Sequence, residues 1–428
     1  MKFLLITKDY PPIPDASGRI VSNIAQCLVR CGHKVDVLAR FPEQTEPIEY
    51  DSGEIVISFP YSYWEKKLRH FKSGKASFAD KLSFKALSML RKVLLALRIK
   101  SFPDSEPIVT KRMTALAKKL AEREGYDCAV AFFRPFSNLA VLGKLSDSFP
   151  TMTAVAYIFD LVEQSSRPGY MPVGLYNRLI ERGDRRVFES ADAVVLPTAA
   201  RNTKRALYRE FAHKILYLEF PTFLPSNDSA VSAVDDGKLR FLYAGTLNTS
   251  YRNPVRLLEL LDKLARLNDD RRIVLDVYGG GDCFDLMNSF EHADNLEIIC
   301  HGPVDADTVG EAMKSAHVLV NIANSYKSLV PSKIFELFSK GKPVLNVSTN
   351  GDDGSFPYFE RYPLAWTFHS EREINTKAAS ELEAFVAESI GKAVPKELLF
   401  EEFGEHTPER VVSTLLKRIE VLHDPCTK

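Results

Sequence analysis

Residues 3–39 read FLLITKDYPPIPDASGRIVSNIAQCLVRCGHKVDVLA, and three segments within them decide the fold. FLLIT (3–7) is a short apolar run closed by Lys8 and Asp9. Ile20 to Arg30 carries apolar residues at helical spacing and stops at Gly32, and KVDVLA (34–39) is a second short apolar run. Strand, helix, strand in so short a stretch is the repeating unit of a parallel sheet, because the chain must cross over to lay the second strand beside the first.

The same grammar extends outward. EIVISF (54–59), DCAVAF (127–132), TAVAYIF (153–159) and DAVVLPT (192–198) are further strand candidates with helical periodicity between them. Near-continuous apolar strands belong to sheets covered on both faces. The polar stretch SNDSAVSAVDDG (226–237) interrupts the pattern, and KLRFLYAG (238–245) restarts it, followed by RIVLDVYG (272–279), LEIICHG (296–302), HVLVNIA (317–323) and PVLNVS (343–348). The expected organisation is α/β, with two doubly wound parallel-sheet domains over 1–225 and 238–405, a linker at 226–237 and a C-terminal helix within 406–428. Open sheets of this kind bind ligands at the carboxyl ends of their strands.

Bulk properties agree with two domains, since 428 residues exceed what a single core usually supports. Hydrophobic residues make up 45% and charged residues 26%, and 56 basic side chains balance 56 acidic ones, which argues against disorder and against a whole-protein nucleic-acid role. Six scattered cysteines show no metal-ligand spacing and read as reduced core thiols. The apolar run Phe3 to Thr7 is too short for a signal peptide, and no stretch approaches the roughly 18 apolar residues of a membrane span. The expectation is a cytoplasmic chain whose membrane contact, if any, is peripheral.

Four constellations carry candidate chemistry. The loop TKDYPPIPDASGRIVSNIA (7–25) leaves the first strand and enters a helix through Ser17 and Gly18; a glycine there suits either a tight turn or the approach of backbone N–H groups to a phosphate. YAGTLNTSYRNP (243–254) places Arg252 beyond the strand-end Gly245, where a guanidinium is either a solvated surface group or a partner for a diphosphate. In SYKSLVPSKIFELFSKGKPVLNV (325–347), Pro331 and Ser332 open a helix that stops at Gly341. Lys333 in its first turn opposes the helix dipole unless an anion sits there, and Glu336 one turn on is suited to ribose hydroxyls or to a simple ion pair with Lys333. Lastly, YGGGD (278–282) and HGPV (301–304) end neighbouring strands, with room for a ligand at the glycines and a backbone at Val304 that can read a base edge.

In order and spacing these features resemble the retaining nucleotide-sugar transferases of glycosyltransferase family 4, which have the GT-B fold. The resemblance spans nearly the whole chain and includes the YPP loop, Gly32-His33-x-Val35, Gly245 with Arg252, the glycine turn, and the P-S-K-x-x-E helix followed by G-K-P-V. It implies that Gly18, Arg19, Gly245, Arg252, Gly280, Val304, Ser332, Lys333 and Ile334 hold a nucleotide-diphosphate-sugar donor and that Glu336 holds its ribose. It also implies a hexosyl transfer with retention, in surface polysaccharide biosynthesis, to a glycan or lipid-linked acceptor. Asp160, at the end of TAVAYIFD, matches an aspartate of the family and is the candidate for orienting an acceptor hydroxyl, beside Arg134 after DCAVAFF. Ser328 stands where much of the family has a second glutamate, and Thr246 where a basic residue is common. Arg252 and Lys333 are expected to stabilise the leaving diphosphate without a metal or other cofactor.

Residues 61–120 hold 15 Lys or Arg against Glu65, Asp80, Asp104 and Glu106, about +11 in a chain of zero net charge. FKALSMLRKVLLALRIK (84–100) reads as a helix with apolar and cationic faces, fit either to lie on an anionic membrane or to pack on the first sheet. A nucleic-acid partner is not expected, since no binding module accompanies the charge. Two other functions stay open on the sequence: a catalytically degenerate partner protein and a nucleotide-sugar epimerase of the same fold.

Overall fold

The computed structural model describes residues 1–13, 15–72, 77–159, 167–169, 171–225, 236–324, 333–348 and 354–423. The apolar runs form two separate sheets, and the chain divides into two compact units, Met1–Pro221 with Pro408–Lys428, and Thr222–Thr407.

In the first unit the strands are β1 (Lys2–Ile6), β2 (Lys34–Phe41), β3 (Ile48–Glu49), β4 (Ile55–Pro60), β5 (Cys128–Phe133), β6 (Thr153–Ile158), β7 (Ala193–Pro197) and β8 (Ile215–Leu218). They lie in the order β3-β4-β2-β1-β5-β6-β7-β8, parallel except for β3. Alternation along β1 sends Phe3 and Leu5 to one core and Leu4 and Ile6 to the other, both fully buried. Helix α1 (Ala16–Arg30) covers the first face with Ile20, Val21 and Ile24, and α4 (Pro107–Glu124) covers the second with Met113 and Ala117. Between β4 and α4 lie α2 (Tyr63–Lys72) and α3 (Phe78–Leu97). Helix α3 starts earlier than its apolar pattern because Ser77 and Asp80 form a reciprocal capping box.

The second unit holds β9 (Lys238–Ala244), β10 (Arg272–Tyr278), β11 (Leu296–Gly302), β12 (Val318–Ile322), β13 (Val344–Ser348) and β14 (Ala365–His369), all parallel, in the order β11-β10-β9-β12-β13-β14. The chain winds outward from β9 in one direction, then returns to lay β12 on its other side. This is the doubly wound order with a switch point between its first and fourth strands. Phe241 and Tyr243 face one core and Leu242 and Ala244 the other.

Two boundaries differ from the sequence expectation. The chain crosses between units at Pro221–Thr222, ahead of the polar stretch, of which 226–235 lie outside the described residues. The C-terminal helix, Pro408–His423, groups with the first unit: Val411, Val412, Leu415 and Ile419 share a core with α1. Its apolar stripe is legible locally, but which sheet it covers is a long-range matter.

Candidate functional site

The candidate site of the second unit lies at the carboxyl ends of β9, β10, β11 and β12. After β9, the backbone N–H of Gly245 donates to the Tyr278 carbonyl at 2.8 Å and that of Leu247 to the Gly280 carbonyl at 2.9 Å, so the loop runs alongside the glycine turn. Asn248 and Arg252 then exchange backbone hydrogen bonds of 3.0 and 2.9 Å, which folds residues 248–252 into a tight loop and fixes the backbone of Arg252. Asp282 clamps this loop: it accepts from Asn248 Nδ2 at 2.9 Å and from the Thr249 N–H at 2.9 Å. The bond from the Thr249 N–H first, and then one from Cys283 Sγ at 3.4 Å, hold the Asp282 carboxyl below its ordinary range against the effect of desolvation.

Arg252 is half-buried. Its Nη2 donates to Asn324 Oδ1 at 2.7 Å and Nη1 to the Thr246 carbonyl at 3.5 Å, while Nε is buried with no hydrogen-bond partner among the described residues. Both acceptors are neutral, so the guanidinium keeps its full charge. Asn324 follows β12, and the Arg252–Asn324 bond therefore bridges the two sides of the switch point. Tyr243 lies beneath; burial pushes its phenol up to about 12, against the opposing pull of Arg252.

The three glycines after β10 are not equivalent. Gly279 and Gly281 have φ of 132° and 134°, and a Cβ on either would lie 2.0 Å from the Gly245 carbonyl oxygen or 1.9 Å from that of Leu247. These two are required by backbone packing against the Gly245 loop rather than by a ligand. A Cβ on Gly280 would meet nothing within 4 Å, so only the middle glycine faces open space.

At the end of β11, His301 stacks on Tyr278 with ring centroids 4.2 Å apart and donates through Nε2 to Asp276 at 2.7 Å. Val304 follows on the surface, 38% exposed. After β12, Lys333 and Glu336 begin the short helix Lys333–Phe338; both are half-buried, on the side away from fully buried Ile334, Phe335 and Phe338. Ser328, Pro331 and Ser332 lie outside the described residues, as does Asp160 in the first unit.

In the first unit, α1 begins at Ala16 with Asp15 as its N-cap, whose carboxylate accepts from the N–H groups of Ser17 (2.9 Å) and Gly18 (3.2 Å). The helix start expected to meet a phosphate is thus capped by the chain's own anion. Gly18 is buried because the preceding loop crosses it closely: a Cβ there would lie 2.9 Å from the Asp9 carbonyl oxygen. Arg19 is exposed on the next residue. Two tyrosines pin the loop. Tyr10 donates to buried Glu54 at 2.7 Å and Tyr50 donates to the Pro11 carbonyl at 2.6 Å. Arg134 follows β5, which neighbours β1.

No family model matches the chain, and no curated protein matches it in sequence. Solved structures do. Sucrose-phosphate synthase from Thermosynechococcus elongatus matches with a TM-score of 0.61 at 14% identity over 98% of each chain. WaaG, a glycosyltransferase involved in lipopolysaccharide biosynthesis, matches at 0.52 with 13% identity over 99% of this chain and 98% of its own. A protein assigned as UDP-N-acetylglucosamine 2-epimerase from Listeria monocytogenes matches at 0.50 with 9% identity over 99% of this chain and 96% of its own. The fold is GT-B. That fold serves both a transferase and an epimerase among these three, so the chemistry has to be argued from the residues.

Asn324, Asp282, Asp15 and Glu54 did not stand out in the sequence. Asn324 ends an ordinary apolar strand, and Glu54 sits at a strand start. Asp15, just before a helical pattern and three residues ahead of Gly18, carried a readable capping signal.

Proposed function

We propose that the protein is a glycosyltransferase that moves a hexosyl group from a nucleotide-diphosphate-sugar to a glycan or lipid-linked acceptor with retention of configuration, in surface polysaccharide biosynthesis. The observation that carries this reading is Arg252, a charged guanidinium held by neutral partners at the switch point of a doubly wound sheet. Such a site suits a diphosphate, whose charge grows as the sugar leaves. In this reading the second unit binds the donor through Gly245, Arg252, Gly280, Val304, Ser332, Lys333, Ile334 and Glu336. The first binds the acceptor, and Gly18 and Arg19 at the start of α1 are assigned to a phosphate, which requires Asp15 to give up the Gly18 N–H. Arg252 and Lys333 stabilise the leaving diphosphate, and Asp160 orients the acceptor hydroxyl. The acceptor oxygen bonds to the anomeric carbon, the bond to the diphosphate breaks, and the hydroxyl proton passes to the leaving phosphate.

Titration with UDP, GDP, ADP and CMP, followed by melting temperature and calorimetry, tests it, because a ligand that binds only the folded state raises stability with its affinity. Binding of one diphosphate, weakened in Arg252→Ala and Glu336→Ala, supports the donor site. Failure of all four at millimolar concentration would leave a catalytically degenerate partner protein as the better reading. The epimerase sharing the fold supplies a second reading, and conversion of a nucleotide sugar to its epimer without any acceptor is the outcome that would favour it.

A further inference from the structure

The helical hairpin α2–α3 has an apolar face that neither core of the first unit uses. On α3, Leu82, Met89, Leu90, Val93 and Leu97 are 63%, 72%, 54%, 54% and 77% exposed, although their spacing is that of a buried stripe. The opposite side of the helix is the one that packs: Phe84 stacks on Trp64 at 5.2 Å and on Phe71 at 4.5 Å, and Arg91 lies over the Trp64 ring at 4.4 Å. Where α3 meets the start of α4, an apolar groove of about 200 Å³ opens between Leu87, Leu94, Leu95 and Ile108, with Arg91 and Arg98 in its lining.

The charge beside this face is one-sided. Residues 63–100 contain eleven Lys or Arg and only Glu65 and Asp80 as acids. Both acids are engaged: Glu65 pairs with buried Arg40 at 3.0 Å, and Asp80 closes the α3 capping box. Exposed Lys85 and Lys92 flank the apolar stripe. The hairpin is also tied to the sheet, since Arg69 pairs with Asp9 after β1 at 2.5 Å while lying over the Tyr61 ring at 4.5 Å.

We propose that the exposed face of α3 docks on the surface of a bilayer carrying anionic headgroups, its leucines entering the headgroup boundary and the lysines beside them pairing with lipid phosphates. A helix that is apolar on one side and cationic beside it matches such a surface in both respects, whereas an acidic protein partner would leave the leucine stripe uncovered. No helix among the described residues is long and apolar enough to cross a membrane, so the contact is with one leaflet. Through Arg69 and Asp9 the docked hairpin holds the loop that leads into α1. Binding of this kind needs no nucleotide and no turnover, so it stands apart from the donor-site reading.

Flotation of the full chain with vesicles tests it. The wild type is expected to float with phosphatidylcholine vesicles containing about 30 mol% phosphatidylglycerol at least about tenfold better than with phosphatidylcholine alone. Leu82→Ser with Met89→Ser and Leu97→Ser, and separately Lys85→Glu with Lys92→Glu, should each reduce flotation about tenfold or more. All of these residues are exposed, and an unchanged melting temperature confirms that the variants fold. No flotation of the wild type, equal flotation with neutral vesicles, or unchanged flotation of both variants would overturn the proposal. So would a concentration-dependent dimer that the triple serine variant abolishes without any vesicle binding by the wild type, which would assign the face to a second copy of the chain.

Discussion

Arg252 and Asn324 are joined at 2.7 Å across the point where the second sheet reverses its winding. The amide oxygen orients the guanidinium without neutralising it, and the backbone exchange between Asn248 and Arg252 fixes the arginine from its other end. A diphosphate arriving there meets a charge whose geometry is already set, which is the condition under which a single cation contributes most.

Arg252→Ala is therefore expected to weaken binding of the nucleoside diphosphate by about 2–3 kcal/mol, and Asn324→Ala by about 1 kcal/mol through loss of orientation. Arg252→Lys should behave more like alanine than like wild type, because an ammonium cannot hold Asn324 and a phosphate in one planar fork. Calorimetry on the two single variants and the double variant measures the coupling. Additive losses would mean that Asn324 does not act through Arg252.

The glycine turn separates fold from site within three residues. Gly279→Ala and Gly281→Ala each drive a Cβ into a carbonyl oxygen and impose a strained backbone, so each should cost about 3 kcal/mol or more in denaturant unfolding of the second unit. Gly280→Ala should stay within about 1 kcal/mol of wild type. If Gly280→Ala proves as damaging as its neighbours, Gly280 does not face open space.

The strands were legible because each is a local run of apolar residues between turn signals, and the alternation of strands with helices gave two doubly wound sheets. Arg252, Lys333 and Glu336 stood out in the sequence because residue type alone suggests the chemistry proposed for them. Asn324 and Asp282 act by reaching residues 72 and 33 positions away, and nothing in their own neighbourhood marks them. The glycines show the converse: GGG reads as room for a ligand, whereas two of the three are fixed by a neighbouring loop. Strands β8 and β14 were missed because ILYL is only four residues long and AWTFH is interrupted by polar Thr367 and His369. The home of α3's apolar stripe was ambiguous between a membrane surface and the first sheet, and only the three-dimensional arrangement leaves it exposed.

Arg40, wholly buried at the end of β2, donates to Glu65 at 3.0 Å and Glu106 at 2.7 Å and anchors α2 to the first unit. Burial alone would raise the Glu65 carboxyl, but the Arg40 charge and the Ser62 hydrogen bonds outweigh it and hold it below its ordinary value of 4.5. A carboxylate depressed in the folded state contributes stability above its unfolded value and loses that contribution as pH falls through the folded value. Glu65→Gln should thus cost about 2 kcal/mol at pH 7, with the difference from wild type shrinking below about pH 4.5. Denaturant midpoints of both proteins at pH 7, 5 and 3.5 measure this; a difference that grows on acidification contradicts it.

Glu336 offers a test that loss of folding cannot imitate. It lies one helical turn from Lys333 on the half-buried side of the helix Lys333–Phe338, and in the donor reading its carboxylate accepts hydrogen bonds from the ribose hydroxyls. A site built to bind a hydroxyl discriminates against the analogue that lacks it, since the hydrogen bond to that hydroxyl is not formed. Wild type should bind the nucleoside diphosphate about tenfold more tightly than its 2′-deoxy or 3′-deoxy counterpart, a difference near 1.4 kcal/mol. In Glu336→Ala that preference should vanish, with affinity for the deoxy ligand nearly unchanged. General damage to the site would weaken both ligands alike and preserve their ratio, so a variant that keeps the wild-type preference would remove Glu336 from ribose recognition while leaving Arg252 and the diphosphate site intact.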